Sequence, residues 1–166
     1  MDKTDILSLR LNELENVIAE MGEKKFRAAQ IYEWLHQKRV ISFDEMTSLS
    51  SEFRTKLSMR FYINSLIIAR KLESSIDNTV KYLYELSDGN HIECVVMEYH
   101  HGNSLCISTQ VGCKMGCKFC ASTIAGFKRN LTPSEMLLQL YESERNLDRK
   151  ISSIVLMGIG EPLDNY

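Results

Sequence analysis

No run of apolar residues in this chain of 166 approaches the ~20 that a membrane-spanning helix needs, so a membrane partner is not expected. The opening residues, Met1-Asp2-Lys3-Thr4-Asp5, lack the apolar core of a secretory signal, and the expected compartment is the cytoplasm. A dominant charge is missing too. Twenty Lys and Arg against 22 Asp and Glu leave a net charge of −2, which does not by itself point to nucleic acid. Cysteines number five, three of them crowded together, which fits a reducing compartment and a metal or redox role better than a disulfide framework. What is present, 44% hydrophobic and 25% charged residues, is an ordinary globular composition with room for one domain or a small domain plus part of another.

The chemistry concentrates in Cys113-Lys114-Met115-Gly116-Cys117-Lys118-Phe119-Cys120. Three thiolates at spacings of four and three form a tripod, one ligand short of a closed zinc site or a saturated four-iron cluster. An iron left without a protein ligand can take an external one, so the motif suggests a cluster that does chemistry. The plainer alternative is zinc, completed by Cys106, His100 or His101. From Cys113 to Ser134 there are Lys114, Lys118, Lys128 and Arg129 and no acidic residue. This local excess of positive charge suits the phosphates of RNA or of a nucleotide cofactor, or is a loop solvated by its own charges.

Leu7, Leu11, Leu14, Ile18 and Met21 make one helical stripe over residues 5–21, with Gly22 as the stop. A second helix is predicted over 26–37, with Ala28, Ile31, Tyr32 and Leu35 inward, and a third after Ser50 that buries Phe53 and Leu57. From about Ser65 the period changes. Strands are expected at 66–72, 80–86 and 91–97, the last two joined through Asp88-Gly89, and another at 104–108 after a turn at Gly102-Asn103. Alternation puts Glu93 with His91, Val95 and Met97, either facing solvent at a sheet margin or held as a general base in a partly apolar pocket. Cys106 shares a face with Ser104 and Ser108, as a buried inert thiol or as a redox-active one beside the cysteine loop. Thr132-Pro133-Ser134-Glu135 is a capping box that starts a helix burying Met136, Leu137, Leu140 and Tyr141. Residues 151–157 then read as a buried strand, broken by Gly158 and Gly160. Strand, cysteine loop, helix, strand is one βα unit with the next begun, and ligands gather at the carboxyl ends of such strands.

Cys-x3-Cys-x2-Cys with an aromatic before the last cysteine, followed by Gly160-Glu161-Pro162, resembles the radical S-adenosylmethionine (SAM) superfamily. Residues 103–113, Gly126-Phe127-Lys128-Arg129-Asn130-Leu131 and 157–162 resemble the RlmN/Cfr family of RNA adenosine methyltransferases, as do Phe26-Arg27-Ala28 and the Asp88-Gly89 hairpin with Ile92-Glu93. The resemblance implies an α+β accessory part, a helical domain over 1–62 and a β-hairpin segment over 63–102. The first βα units of a radical-SAM α/β barrel then follow over 103–166. That barrel is incomplete, since a whole one takes on the order of 200 residues, and the chain reads as a truncated portion inactive alone.

By the same resemblance Cys113, Cys117 and Cys120 hold a four-iron, four-sulfide cluster, and Gly160 and Glu161 contact the amino group of the SAM on its open iron. The cluster cleaves SAM to a radical that acts on a methyl group carried by a second cysteine. Glu93 matches the base that removes the adenine ring proton, and Cys106 matches the thiol that releases product through a transient disulfide with that second cysteine. Val111 and Ala121-Ser122-Thr123 look more like the type that methylates adenine C2 than the Cfr-like C8 type. The implied partners are 23S ribosomal RNA, transfer RNA and an electron donor of the flavodoxin or ferredoxin kind. The competing class is a zinc-stabilised RNA-binding module without catalysis.

Overall fold

The two periodicities of the chain give two structural units, Met1–Asn64 and Ser65–Tyr166, in a computed structural model that describes residues 3–166. In the first unit β1 (Thr4–Asp5) leads into a single 3-10 turn at Ile6–Ser8, and α1 (Leu11–Glu20), α2 (Phe26–His36) and α3 (Ser51–Arg60) follow. A two-residue β2 (Phe61–Tyr62) pairs parallel with β1. The continuous helix expected from residue 5 is not formed. Asp5 takes hydrogen bonds from the Leu7 amide at 3.1 Å and the Ser8 hydroxyl at 2.8 Å, a local alternative to helix that leaves Leu9 and Arg10 extended. Leu7, Leu14 and Ile18 are buried as the stripe requires, while Leu11 is exposed. The Ser50 hydroxyl accepts from the Phe53 amide at 3.3 Å and starts α3 where its sequence asks.

The second unit is a five-stranded sheet with one helix on it. Its first strands are β3 (Ile67–Glu73), β4 (Val80–Glu85), β5 (His91–Tyr99) and β6 (Gly102–Cys106), each antiparallel to the one before. Then come the short hairpin β7 (Gln110–Gly112) and β8 (Phe127–Asn130), α4 (Pro133–Leu147) and β9 (Ile151–Val155), which returns parallel to β6. The turn before β6 falls at His100-His101, not Gly102-Asn103, and the expected boundary between residues 102 and 103 lies inside this sheet. β6, α4 and β9 form the expected βαβ crossover.

Register decides what each face carries. Leu72, Lys81, Val95, Cys106 and Val155 are successive partners across all five strands, and Arg70, Leu83 and Glu93 form a second row across three. The opposite face presents Tyr82, Tyr84, Ile92, Cys94, Val96 and Leu105, all buried. There the Tyr82 hydroxyl donates to Asn146 at 2.8 Å, and Ser143 of α4 lies 3.1 Å from the Tyr84 hydroxyl and 3.7 Å from the Cys94 sulfur. Burial pushes the Tyr82 hydroxyl and the Cys94 thiol each up to about 12. α4 departs from the expected apolar stripe. Leu138 and Tyr141 are buried, but so are Ser134, Glu135, Gln139, Ser143 and Glu144, while Met136, Leu137 and Leu140 are only half-buried. The polar groups meet polar partners: Gln139 accepts from the Ser108 amide at 2.8 Å and donates to its carbonyl at 2.9 Å, just where β6 has ended.

Candidate active site

Beyond β6 and β9 the chain runs into two loops, and a hydrogen-bonded network joins them. The Ile107 amide donates to Val155 O at 3.0 Å, the Gly158 amide to Ile107 O at 3.0 Å and the Thr109 amide to Ile159 O at 2.9 Å. Fully buried Gln110 is the hub. Its Oε1 accepts from the Glu161 amide at 2.9 Å, and its Nε2 donates to Asn130 Oδ1 at 2.9 Å and Asp164 Oδ2 at 2.8 Å. Asp164 also pairs with Lys114 at 2.9 Å, so the Gly-Glu-Pro turn is tied to the first residue inside the cysteine loop. Gly160 allows the approach: at φ 110°, a Cβ there would sit 2.6 Å from Gln110 Cβ. The close contact this glycine makes is thus with the chain's own Gln110. The Glu161 carboxylate accepts from the Leu163 amide at 3.0 Å and caps its own turn.

β7 and β8 clamp the base of the cysteine loop, a hairpin invisible to the sequence pattern because three and four residues are too few for a period to register. Cys113 is buried at the end of β7, Cys117 is exposed and Cys120 half-buried. Hydrogen bonds from the Ser122 side chain and then its backbone pull the Cys120 thiol below its ordinary value. Three soft thiolates within eight residues suit an iron–sulfur centre. Their side chains are not gathered, however: among the described residues no group of three or more His, Cys, Asp or Glu is arranged to hold a metal ion. The loop between its clamped ends has only short turns, such as the Cys120 amide on Cys117 O at 3.0 Å, to shape it. The zinc alternative gains nothing, since His100 and His101 lie at the turn that begins β6, where His101 stacks on Tyr99 and His100 meets His101 edge to face. All five cysteines are free thiols.

Positive charge around the motif is largely engaged. Lys114 holds Asp164, Lys128 donates to Asn90 Oδ1 at 2.8 Å, and Arg129 grips Asp88 at 2.7 Å and both oxygens of Glu135 at 2.8 Å. The Arg129 guanidinium holds the Asp88 carboxyl well below the usual carboxylate range. A cavity of about 250 Å³ opens beside this clamp, lined by Asn90, His91, Gly112, Ser122, Lys128 and Ile159 among others. It lies between the β4–β5 hairpin tip, the cysteine loop and the Gly-Glu-Pro approach.

Glu93 and Cys106 come out on one face of neighbouring strands, the face turned away from α4. Cys106 is directly opposite Val95, two residues from Glu93, and is half-buried. The Glu93 side chain, on the middle strand of the sheet and not at its margin, is 44% exposed, pairs with Lys81 at 2.8 Å and lines a shallow cavity with Leu72 and Leu83. Cys106 is set apart from buried Cys94, which points to α4.

Residues 4–63 match the model of the ribosomal RNA large subunit methyltransferase N-terminal domain. The chain is 55% identical over 165 residues to the probable dual-specificity RNA methyltransferase RlmN of Lachnoclostridium phytofermentans, covering 99% of this chain and 46% of that protein. The protein of the same name from Alkaliphilus oremlandii is also 55% identical, over 166 residues, 100% of this chain and 48% of its own. A crystal structure of a radical SAM methyltransferase from Sphaerobacter thermophilus superposes with a TM-score of 0.86 at 36% identity, over 98% of this chain and 49% of that one. The chain therefore spans about half the length of the relatives it matches. With this identity along nearly all its residues, and the fold of a radical SAM methyltransferase fragment, the chain belongs to the RlmN family.

Proposed function

We propose that the chain is the cluster-binding and substrate-positioning part of an enzyme that methylates C2 of adenosine in 23S ribosomal RNA and transfer RNA. The observation that carries this reading is the shared open face on which Glu93 and Cys106 stand on adjacent strands, β6 leading directly towards the cysteine loop. The relatives' name, dual-specificity RNA methyltransferase, supports RNA as the substrate. β6, α4 and β9 are on this reading the opening repeat of a radical-SAM barrel.

Cys113, Cys117 and Cys120 would hold a four-iron, four-sulfide cluster, with Gly160 and Glu161 towards the amino group of SAM. When bound and reduced by a flavodoxin- or ferredoxin-type donor, that pair supplies a carbon-centred radical, which suits adenine C2 because its hydrogen is not acidic and no leaving group is present. Glu93 takes the ring proton, and the open face gives the base room to approach it. Cys106 supplies the thiol that releases product by forming a disulfide with a second, methyl-carrying cysteine. No other cysteine of the chain fits that second part: Cys94 is buried against α4, and the remaining three are the cluster ligands. The 166 residues by themselves therefore bind and position without turnover. Val111 and Ala121-Ser122-Thr123 favour C2 over C8, and the bacterial cytoplasm is the compartment this chemistry suits.

The test is anaerobic reconstitution of the chain with iron and sulfide, followed by EPR of the reduced sample with and without SAM. A four-iron signal that shifts on addition of SAM is expected. A chain that takes up zinc and builds no cluster would overturn the radical reading.

A further inference from the structure

The row that ends on Glu93 begins on Arg70, and a backbone irregularity puts it there. Ile68 partners Tyr84, but the next pair is Arg70 with Leu83, so the strand bulges at Ala69. An unbroken ladder would give Leu83 to Ala69 and set Arg70 beside Tyr82, on the α4 side of the sheet. The extra residue re-aims Arg70 onto the face of Glu93, as bulges do. Arg70, Leu72, Lys81, Leu83 and Glu93 together line a cavity of about 130 Å³.

Charge on this face is unbalanced. Glu93 is matched by Lys81 at 2.8 Å, whereas the exposed Arg70 side chain has no ion pair or hydrogen bond among the described residues. Neighbouring Lys71 faces the other way, opposite Tyr82, and is held by Glu73 at 2.6 Å. A guanidinium left free over a floor of two leucines, beside a carboxylate already neutralised, selects an anion with apolar surface attached. A phosphodiester of RNA has that form, and the guanidinium fork matches it bidentately. Spacing agrees: Arg70 and Glu93 are two strands apart, about 10 Å between backbones, comparable with the span from an adenine ring to its own backbone.

We propose that Arg70, assisted by Lys81, forms a subsite for an RNA phosphodiester flanking the nucleotide whose base meets Glu93. The proposal rests on the reading above that this face handles RNA, and it assigns the outer strand of the sheet to backbone positioning. A phosphate arriving between the two cations competes with Glu93 for the Lys81 ammonium, so binding the RNA also loosens the carboxylate from its ion pair.

The test is binding of a short, labelled single-stranded RNA to the chain at several salt concentrations. Each phosphate contact contributes about 0.7 to the slope of log affinity against log salt for a single strand. Arg70→Gln is expected to lower the slope by about that amount and weaken binding severalfold. Arg70→Lys should restore most of the slope, and Lys71→Gln should leave it unchanged. RNA bound with the same slope after Arg70→Gln, or an equal loss in Lys71→Gln, overturns the subsite while leaving the RNA reading intact. Failure of the unsubstituted chain to bind RNA at any salt overturns that reading and the subsite with it.

Discussion

A methyl group on Gly112 would lie 1.7 Å from the Gly126 carbonyl oxygen, and the Gly112 backbone stands at φ 74°. Both glycines sit at the base of the cysteine loop, where β7 and β8 part, so the clash is with backbone and no side chain can move to relieve it. The positive φ alone costs a non-glycine residue about 1–2 kcal/mol. Gly112→Ala is therefore expected to destabilise by more than about 2 kcal/mol, read as a lowered urea midpoint with unchanged slope. Gly116→Ala, at φ 71° but with open space around it, should lose only the conformational part. Equal losses in the two variants would refute the steric account. Gly112 was visible in sequence as part of a motif, but its constraint was not, because the partner that forbids a side chain is fourteen residues away across a hairpin of three and four residues. The same holds for Gln110, whose amide has three partners drawn from two separate segments, Asn130 of β8 and Glu161 and Asp164 of the Gly-Glu-Pro turn. Pattern finds residues that repeat; a hub like Gln110 occurs once.

At the scale of elements, the β4–β5 hairpin tip and β8 are fastened through Asp88 and Arg129 at 2.7 Å. Asp88 titrates below the ordinary carboxylate value chiefly because of the hydrogen bond from Arg129, with the Asn90 backbone and side chain adding to it. The sign follows from linkage. A carboxyl lowered in the folded chain contributes stability that is complete above its unfolded value of about 3.9 and is lost as pH falls through the folded value. In that window the unfolded chain binds more protons, so stability rises with pH. The pair is partly exposed, 38% and 31% for the two side chains, which keeps the effect modest. Asp88→Asn should flatten the dependence of the urea midpoint on pH between about 2 and 4, and an unchanged acid slope would remove Asp88 from this role. The hairpin itself was legible, since Asp88-Gly89 between two alternating runs is a strong local signal, and α2, α3 and the capping box of α4 were legible for the same reason. Less legible was the start of α1, where Asp5 offers hydrogen bonds that a hydrophobic stripe does not reveal. The inward face of α4 was misread because its buried Gln139 and Ser143 serve polar partners across the sheet.

Across the sheet as a whole, the two outer strands are built differently. β3 carries Arg70, Lys71 and Glu73 and a bulge at Ala69, the devices by which a strand protects an unpaired edge. β9 has none of them. Residues 151–157 read Ile-Ser-Ser-Ile-Val-Leu-Met without a charge, and Ile154, Leu156 and Met157 are 46%, 46% and 80% exposed. The sequence pattern for this segment was that of a buried strand, and its composition still is; what differs is that β9 has a partner, β6, on one side only among the described residues. A strand of interior composition with a free row of amides and carbonyls favours pairing with another strand. The chain is thus expected to self-associate through β9 as concentration rises, seen as an increase in sedimentation coefficient. Ser153→Lys places a charge in the middle of that edge and should hold the chain monomeric at the same concentrations. Arg70→Gln, which weakens the protected edge on the other side by one charge, should change association far less. A chain that stays monomeric throughout, or one whose association ignores Ser153→Lys, would show that the β9 edge is not the surface that seeks a partner.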